Sequence, residues 1–212
     1  MKIFFFVISL FAVQISTFAQ ISSDPEAKVI LDKVSAATDA MEAIHIVFEY
    51  RLTNKAENIN DSSMGELSLK KDQYLLSFMG LEQISDGENV WTILTDEEEI
   101  QISEMDFEDE NAVTPSNLLK MYETGFIYQL LAKVGNLQTI ELIPEIPGDV
   151  DYIKIELLID TAVNQIKTLK QFGKNATESE YIINNFSPCI ISDNTFKLDE
   201  KAYSDFEIID LR

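Results

Sequence analysis

The side chains best suited to nucleophilic or acid–base catalysis occur once each in this chain, as His45 and Cys189. A thiol nucleophile or a Ser-His-Asp triad needs an imidazole beside the nucleophile. His45 instead lies in a run of alternating apolar residues that is typical of a strand, and a lone cysteine is more often buried and inert. A structural zinc site would need about four Cys or His ligands. We therefore predict no catalytic residues, no metal and no cofactor, and interpret the protein as not an enzyme.

Two runs of acidic residues, 96–99 and 106–110, raise the question of calcium binding. A calcium loop of the EF-hand type needs glycine at its sixth position and a bidentate glutamate at its twelfth. Counted from Asp106, these positions hold Asn111 and Asn117. The template therefore fails. Carboxylate pairs at the spacing of a glycosidase are expected by chance in so acidic a chain, so they carry no specific signal.

The charge balance excludes another class of function. The chain has 16 Lys and Arg against 37 Asp and Glu, a net charge of −21. Such a surface repels nucleic acid and anionic lipid headgroups, because both carry the same sign of charge. We predict no nucleic-acid partner and only transient contact with membranes.

The N-terminus has the pattern of an export signal. Lys2 precedes an apolar run from Ile3 to Val13, and Thr17 and Ala19 are small residues at the positions that a signal peptidase reads. This run is too short to span a membrane. We predict a cleaved signal peptide over residues 1–19 and a single soluble domain over 20–212. No cysteine follows the cut directly, so lipid attachment there is excluded.

The first element of the mature chain is an amphipathic helix. Asp24, Pro25 and Glu26 are typical of a helix start, and apolar residues then recur at helical spacing to about Ala43. From Ile44 the period changes to 2, which predicts a strand. This first strand is expected over residues 44–52. Asp86-Gly87 is typical of a hairpin turn. Further strands are expected over residues 65–71, 74–78, 90–94, 100–102, 139–143, 152–159, 165–172, 181–186 and 196–198.

The middle of the chain interrupts this series of strands. Residues 114–122 predict a short helix, and Phe126, Leu130 and Leu131 a further apolar patch beside it. So many antiparallel strands must close or be covered, because exposed edges aggregate. The fold class we predict is mainly β (α+β): an unclosed, strongly curved antiparallel half-barrel of about 9–11 strands, with a lid of short α-helices over an apolar cavity.

Several segments together resemble the periplasmic outer-membrane lipoprotein carrier family (LolA-like). The most specific is Ile84–Trp91, a "DGxxxW" hairpin, followed by the Glu99–Ile102 strand with its acid-x-Gln pattern. Residues 30–35, 65–71 and 196–212 add weaker matches, the last of them similar to the Bacteroidetes-type branch. The resemblance spans about residues 24–212.

The resemblance implies a function. Members of this family accept lipoproteins from an inner-membrane ATP-driven (ABC) transporter and carry them through the Gram-negative periplasm with the acyl chains inside the cavity. It implies acylated lipoproteins as partners, an outer-membrane acceptor that the sequence does not identify, and a monomer. Better-known members carry an Arg-Pro pair after the second strand, whose Arg helps to hold the lid. Here Lys71 and Asp72 stand in its place, so Lys71 is the candidate lid latch.

The predicted acyl-chain site is a set of apolar residues without convergent polar groups. The cavity candidates are Ile46, Phe48, Leu67, Leu69, Tyr74, Leu76, Phe78, Trp91 and Ile93, and the lid candidates are Leu118, Leu119 and Phe126. Two alternatives stay open. One is an envelope domain that senses lipid or lipoprotein on the same fold without transport, and the other is an enzyme on this scaffold that depends on His45 or Cys189.

Overall fold

The computed structural model describes residues 22–105, 122–199 and 201–212. The predicted signal peptide and the lid candidates Leu118 and Leu119 lie outside these residues. The described part contains one α-helix, α1 (Pro25–Asp39), a 3₁₀ turn at Asp193–Phe196, and twelve strands. The strands are β1 (Ile44–Asn54), β2 (Ile59–Lys70), β3 (Gln73–Phe78), β4 (Leu81–Ser85), β5 (Asn89–Leu94), β6 (Glu99–Glu104), β7 (Phe126–Val134), β8 (Leu137–Pro144), β9 (Tyr152–Asp160), β10 (Gln165–Gly173), β11 (Glu178–Pro188) and β12 (Glu207–Asp210).

Helix α1 begins where the sequence indicates. The Asp24 carboxylate accepts a hydrogen bond from the Glu26 amide at 2.8 Å, and Pro25 occupies the first turn, where a missing N–H costs nothing. The helix ends at Asp39, about one turn before the predicted end near Ala43. One face is buried, through Ala27, Leu31 and Val34.

All twelve strands form one sheet, in the order β12-β6-β5-β4-β3-β2-β1-β11-β10-β9-β8-β7. Every neighbouring pair is antiparallel except β12 and β6, which are parallel. Strands β12 and β7 are its two edges and do not pair with each other, so the sheet is unclosed. The prediction of a mainly β, unclosed antiparallel sheet is confirmed, with one strand more than the upper end of the predicted range.

Two predicted elements are wrong. Residues 196–198 were expected to form a strand, but Phe196 ends a 3₁₀ turn and the last strand is β12. The second error is the apolar patch that starts at Phe126, which lies in β7 instead of beside a helix. Phe126, Tyr128 and Leu130 alternate along this strand, and the first two are buried, which is the period of a sheet.

The sheet curves around helix α1. On a flat sheet, the five steps from β4 to β10 would span about 24 Å. Gln83 on β4 and Ile166 on β10 nevertheless line one cavity of about 270 Å³ together with Val34 of α1. We call the face that bears these residues the inner face of the sheet, and the opposite one the outer face.

The outer face of β4–β6 is covered by the chain that follows β11. Ile84, Ile93 and Ile100 form a buried cluster there, and Leu198, Tyr203 and Phe206 pack against it. Hydrogen bonds then join the C-terminus to the sheet edge: the Glu207 amide donates to the Glu98 carbonyl and the Leu211 amide to the Ile102 carbonyl, both at 2.8 Å. This C-terminal segment, residues 189–199 and 201–212, buries a second apolar layer and protects the β6 edge.

The Asp86-Gly87 turn joins β4 to β5 as the sequence predicts. The Asp86 carboxylate accepts hydrogen bonds from the amides of Glu88, at 2.9 Å, and Asn89, at 2.8 Å. Gly87 takes a φ of +95°, which a side chain would disfavour. Partial burial alone would raise the pKa of Asp86, but the amides of Asn89 and Glu88 outweigh it and hold this pKa below its ordinary value.

An Asp86→Ala variant is expected to lower the free energy of unfolding by about 1–2 kcal/mol at neutral pH, because two amides lose a charged acceptor. The folded pKa is depressed, so the contribution is present above the unfolded value of about 4 and is lost as the pH falls through the folded pKa. Urea unfolding at neutral pH and at about pH 3 would measure a difference that shrinks on acidification. The matched control is Asp96→Ala in the exposed turn between β5 and β6. An equally large loss of stability in that variant would contradict the stabilising role of the Asp86 carboxylate.

Within the described ranges, no helix combines the length and the apolar character that crossing a membrane requires.

Candidate functional site

The register of β1, β2 and β3 brings large apolar side chains together on the inner face. Residues directly opposite each other on neighbouring strands point to the same side of a sheet. Ile46 pairs with Leu67, and Leu67 with Leu76. One position further along, Phe48 pairs with Gly65, and Gly65 with Phe78. The result is a continuous apolar wall across three strands.

A β-bulge extends this wall onto β11. The register between β1 and β11 shifts between Val47 and Phe48, so that Ile46 lies opposite Phe186 and Phe48 opposite Ile183. A regular strand would place two residues three apart on opposite faces. The extra residue of the bulge lets both Phe186 and Ile183 face inward.

Helix α1 and strand β10 supply the opposite side of the cavity. Val34 and Thr38 lie one helical turn apart on the buried face of α1. The volume between them and the strands is about 270 Å³. Fourteen of the described residues line it: Val34, Thr38, Ile46, Phe48, Leu67, Leu76, Phe78, Gln83, Gln165, Ile166, Leu169, Tyr181, Ile183 and Phe186.

Four aromatic rings border one end of this cavity. Phe48 lies 5.5 Å from Phe78 and 6.0 Å from Tyr181, measured between ring centroids. Tyr50 contacts Phe78 edge-on at 5.4 Å and Tyr181 at 5.0 Å. Rings in tilted and edge-to-face contact favour one arrangement, so this aromatic cluster is a defined boundary of the cavity.

Among the residues that the structure describes, no charged side chain lines the cavity. Burial, and to a smaller degree Tyr50, raise the pKa of the Tyr181 phenol, which therefore stays neutral at physiological pH. The side chains of Thr38, Gln83 and Gln165 are all hydrogen-bonded. Thr38 donates to the Val34 carbonyl at 3.0 Å, Gln83 donates to the Thr92 hydroxyl at 3.1 Å, and the Gln165 side-chain oxygen accepts from the Lys167 ammonium at 3.5 Å. An uncharged, largely satisfied lining is suited to hydrocarbon and poorly suited to ions.

No protein-family model matches the sequence, and no curated protein matches it. Solved structures do. A LolA superfamily protein from Nitrosomonas europaea shares 12% sequence identity at a TM-score of 0.46, over 82% of this chain and 98% of that one. The chain is similar in structure to LolA superfamily proteins.

Two further structures are similar to the same extent. An outer membrane lipoprotein-sorting protein domain from Vibrio parahaemolyticus has 11% identity and a TM-score of 0.46, over 84% of this chain and 98% of that one. The lipoprotein LppX from Mycobacterium tuberculosis has 13% identity and a TM-score of 0.48, over 80% and 99%. These likenesses concern the fold alone, and membership of the Bacteroidetes-type branch stays a prediction.

Five of the nine predicted cavity residues lie in the lining: Ile46, Phe48, Leu67, Leu76 and Phe78. Leu69 and Tyr74 share the inner face and belong to the same buried cluster without lining the cavity. Burial raises the pKa of Tyr74 to about 12.

Trp91 and Ile93 were predicted to line the cavity, but the structure places both on the outer face. Leu76 pairs with Gln83 and Gln83 with Thr92, so on β5 it is Thr92 that faces inward. Trp91 and Ile93 point to the outer face, into the cluster under the C-terminal segment.

The predicted lid and latch residues have other positions. Phe126 is a buried residue of β7 whose ring stacks on Tyr152 at 6.4 Å, so it belongs to the sheet and not to a lid. Lys71 is exposed in the two-residue turn between β2 and β3, with a φ of +56°. Its role as a latch stays a prediction, because Leu118 and Leu119 lie outside the described residues.

Sequence reasoning missed the contributions of α1, β10 and β11, namely Val34, Thr38, Gln165, Ile166, Leu169, Tyr181, Ile183 and Phe186. The buried face of α1 was readable from its helical period. The inward positions of Ile183 and Phe186 were not readable from the sequence. Residues three apart on a regular strand point to opposite faces, and only the bulge lets both side chains face inward.

His45 and Cys189 are not part of this cavity. His45 lies on the outer face of β1, where its Nδ1 is 3.1 Å from the Ser68 hydroxyl. Burial raises the pKa of the Cys189 thiol, which disfavours the reactive thiolate. Across the described ranges, no three His, Cys, Asp or Glu side chains are grouped closely enough to share a metal ion.

Gly65 is the position at which the cavity wall depends on a missing side chain. A Cβ there would overlap the Phe48 ring, at 2.7 Å from Cε2 and 2.8 Å from Cε1. We expect Gly65→Ala to displace this ring and to destabilise the fold by about 1–3 kcal/mol in urea unfolding. Phe48→Leu should relieve the overlap, so the double variant should lose less than the two single changes combined.

The matched control for this variant is Gly148→Ala. An added Cβ at Gly148 meets nothing within 4 Å, so stability should change by less than about 0.5 kcal/mol. Strict additivity of Gly65→Ala and Phe48→Leu would contradict the contact between them.

Proposed function

We propose that the protein is a carrier that binds the acyl chains of lipoproteins in the inner-face cavity and shuttles them from the inner to the outer membrane. One observation carries the proposal: of the fourteen lining residues that the structure describes, eleven are apolar or aromatic and none is charged. The uncharged lining contrasts with a chain of net charge −21. A lining of this kind, between a sheet and the face of a helix, favours an aliphatic chain over polar ligands.

The energetics of transport explain why such a cavity would be needed. Each methylene exposed to water costs about 0.8 kcal/mol, so a long acyl chain costs on the order of 10 kcal/mol. A carrier must offset most of this cost and still release its cargo. Contacts with several half-buried side chains, such as Ile183 and Phe186, offer such a balance, because they can move without unfolding the core.

The proposal includes a place and partners. A cleaved signal peptide over residues 1–19 would deliver the chain to the Gram-negative periplasm. There it would work as a monomer, receive acylated lipoproteins from an inner-membrane ABC transporter, and pass them to an outer-membrane acceptor. A helical lid that includes Leu118 and Leu119, latched by Lys71, would complete the apolar enclosure.

The test is native mass spectrometry of the full chain after export into a periplasm. We expect a bound mass that corresponds to an acylated polypeptide. Incubation with outer-membrane vesicles should then return the protein to its unliganded mass. Retention of the cargo would indicate the sensing alternative, in which binding occurs without delivery. Absence of any acylated species from the purified protein would overturn the proposal.

We further propose that the protein performs no catalysis. His45→Ala and Cys189→Ala should both leave acyl-chain binding unchanged, because neither side chain reaches the cavity lining. Loss of an enzymatic activity in either variant would instead support the enzyme alternative.

A further inference from the structure

The inner face changes its chemistry beyond the aromatic cluster. A second, polar recess of about 360 Å³ lies at the β10–β11 hairpin. Gln171 of β10 and Ser179 of β11 face each other across this recess as a register pair. Lys174, Asn175 and Thr177 of the connecting turn also line it, with Asp151, the residue just before β9.

The polar recess continues the apolar cavity along the same strands. Gln171 lies two residues after the cavity residue Leu169, and Ser179 two residues before the cavity residue Tyr181. Two residues along a strand keep the same face and span about 7 Å. Tyr50 of the aromatic cluster also reaches the recess, because its hydroxyl is 3.3 Å from that of Ser179. The two compartments therefore meet at Tyr50 and Tyr181.

Hydrogen-bonding capacity is available in the recess. Within the described part of the chain, the Gln171 side chain makes no hydrogen bond, so its amide offers two donors and an acceptor. The Asn175 side-chain oxygen Oδ1 accepts a hydrogen bond from the Thr177 backbone amide at 3.1 Å, which leaves the side-chain Nδ2 group of Asn175 as a donor. The Thr177 hydroxyl, held by Asn54 at 3.1 Å, keeps a proton to donate.

The formal charges of the recess cancel. Within the described ranges, Lys174 and Asp151 are the only ionisable residues that line it, and the Lys174 ammonium already donates to the Pro147 carbonyl at 2.6 Å. An anionic head group would gain no net attraction there and would meet a protein of net charge −21. Ester, amide and hydroxyl groups match the free donors and acceptors without a charge to desolvate.

We propose that this recess binds the uncharged polar head of an acylated ligand, its ester, amide or glyceryl groups, while the chain occupies the apolar cavity. The inference rests on the proposed acyl-chain function and adds the chemical class of the head group. It assigns Gln171 as a specificity-determining residue. An amphiphile would then lie with its head at the β10–β11 hairpin and its chain running past Tyr181 towards Ile46.

The test is competition against N-phenyl-1-naphthylamine, a fluorescent apolar dye that needs no head-group contact. A monoacylglycerol and a lysophosphatidylglycerol of equal chain length are the competitors, with wild type, Gln171→Leu and the control Gln129→Leu on β7. We expect wild type to prefer the monoacylglycerol. Gln171→Leu should weaken monoacylglycerol binding by about threefold to tenfold, the value of one net hydrogen bond, with unchanged dye binding.

The outcomes separate this inference from the proposed function. Dye and lipid binding with equal monoacylglycerol affinity in wild type and Gln171→Leu would overturn the inference and leave the carrier proposal intact. Tighter binding of the lysophosphatidylglycerol by wild type would also overturn it. If the wild-type protein bound neither the dye nor any acyl chain, both the carrier proposal and the head-group inference would be overturned.

Discussion

Replacing Phe196 with alanine is expected to lower the free energy of unfolding by about 3–5 kcal/mol, the cost of removing a large ring from a close-packed site. Phe196 is 0% exposed although it belongs to a short 3₁₀ turn near the C-terminus. It precedes Leu198, Tyr203 and Phe206, which cover the outer-face cluster of Ile84, Ile93 and Ile100. Losing this ring should loosen the whole C-terminal segment.

The chain contains a reporter for this effect. Trp91 is the single tryptophan and packs into the same outer-face cluster. In Phe196→Ala we expect its emission to shift to the red in the native state, because water reaches the indole. The amides of Glu207 and Leu211, which bond to the β6 edge, should exchange faster with deuterium.

The matched control for Phe196→Ala lies in the same segment. Ile190 is fully exposed, so Ile190→Ala should change the free energy of unfolding by less than about 0.5 kcal/mol. Urea unfolding followed by circular dichroism would measure both variants. A stability loss for Phe196→Ala no larger than that of Ile190→Ala would show that the segment does not hold the outer face together.

The second large effect is expected in the cavity itself, from Ile183→Asp. Ile183 lines the cavity and is only half-buried, so an aspartate there can keep access to water in the free protein. A bound acyl chain would have to desolvate this carboxylate without offering it a partner. Since about 1.4 kcal/mol corresponds to a factor of ten, we expect acyl-chain affinity to fall at least about tenfold, measured by dye displacement.

Ile182→Asp is the matched control for this variant. Ile182 is the neighbouring residue of β11, is also half-buried, and pairs with Glu49 and Thr168 on the outer face. Ile182→Asp should reduce stability by about as much as Ile183→Asp does, without changing acyl-chain affinity. Circular dichroism would show that both variants are folded. Wild-type affinity in a folded Ile183→Asp protein would place the acyl chain elsewhere.

The sequence predicted best those features that depend on neighbouring residues. The start of α1 follows from Asp24 and Pro25, whose effects act within one helical turn. The β4–β5 hairpin follows from Asp86 and Gly87 in the same way, through bonds that reach three residues at most. The inner face of β1, with Ile46 and Phe48, was readable because apolar and aromatic residues alternate along residues 44–52 with residues that are polar except for Val47.

The alternation was not decisive where a strand is covered on both faces. Residues 90–94 of β5 are apolar except for Thr92, so period 2 does not distinguish the side of Trp91 from that of Val90. The outer face proved to be covered by the C-terminal segment, and Trp91 and Ile93 face that segment. A sequence pattern alone does not predict which distant segment packs on a given face.

The sequence by itself predicted an export signal and, from the net charge, the absence of a nucleic-acid partner. It also determined the start of the first helix and the mainly β character, because each depends on composition or on local spacing. Tertiary structure decided where the cavity lies. Its wall requires β1 to pair with β11, a bulge that turns both Ile183 and Phe186 inward, and α1 packed against β10. Those contacts join residues far apart in the chain, and their free energy comes from burial that exists only in the folded sheet.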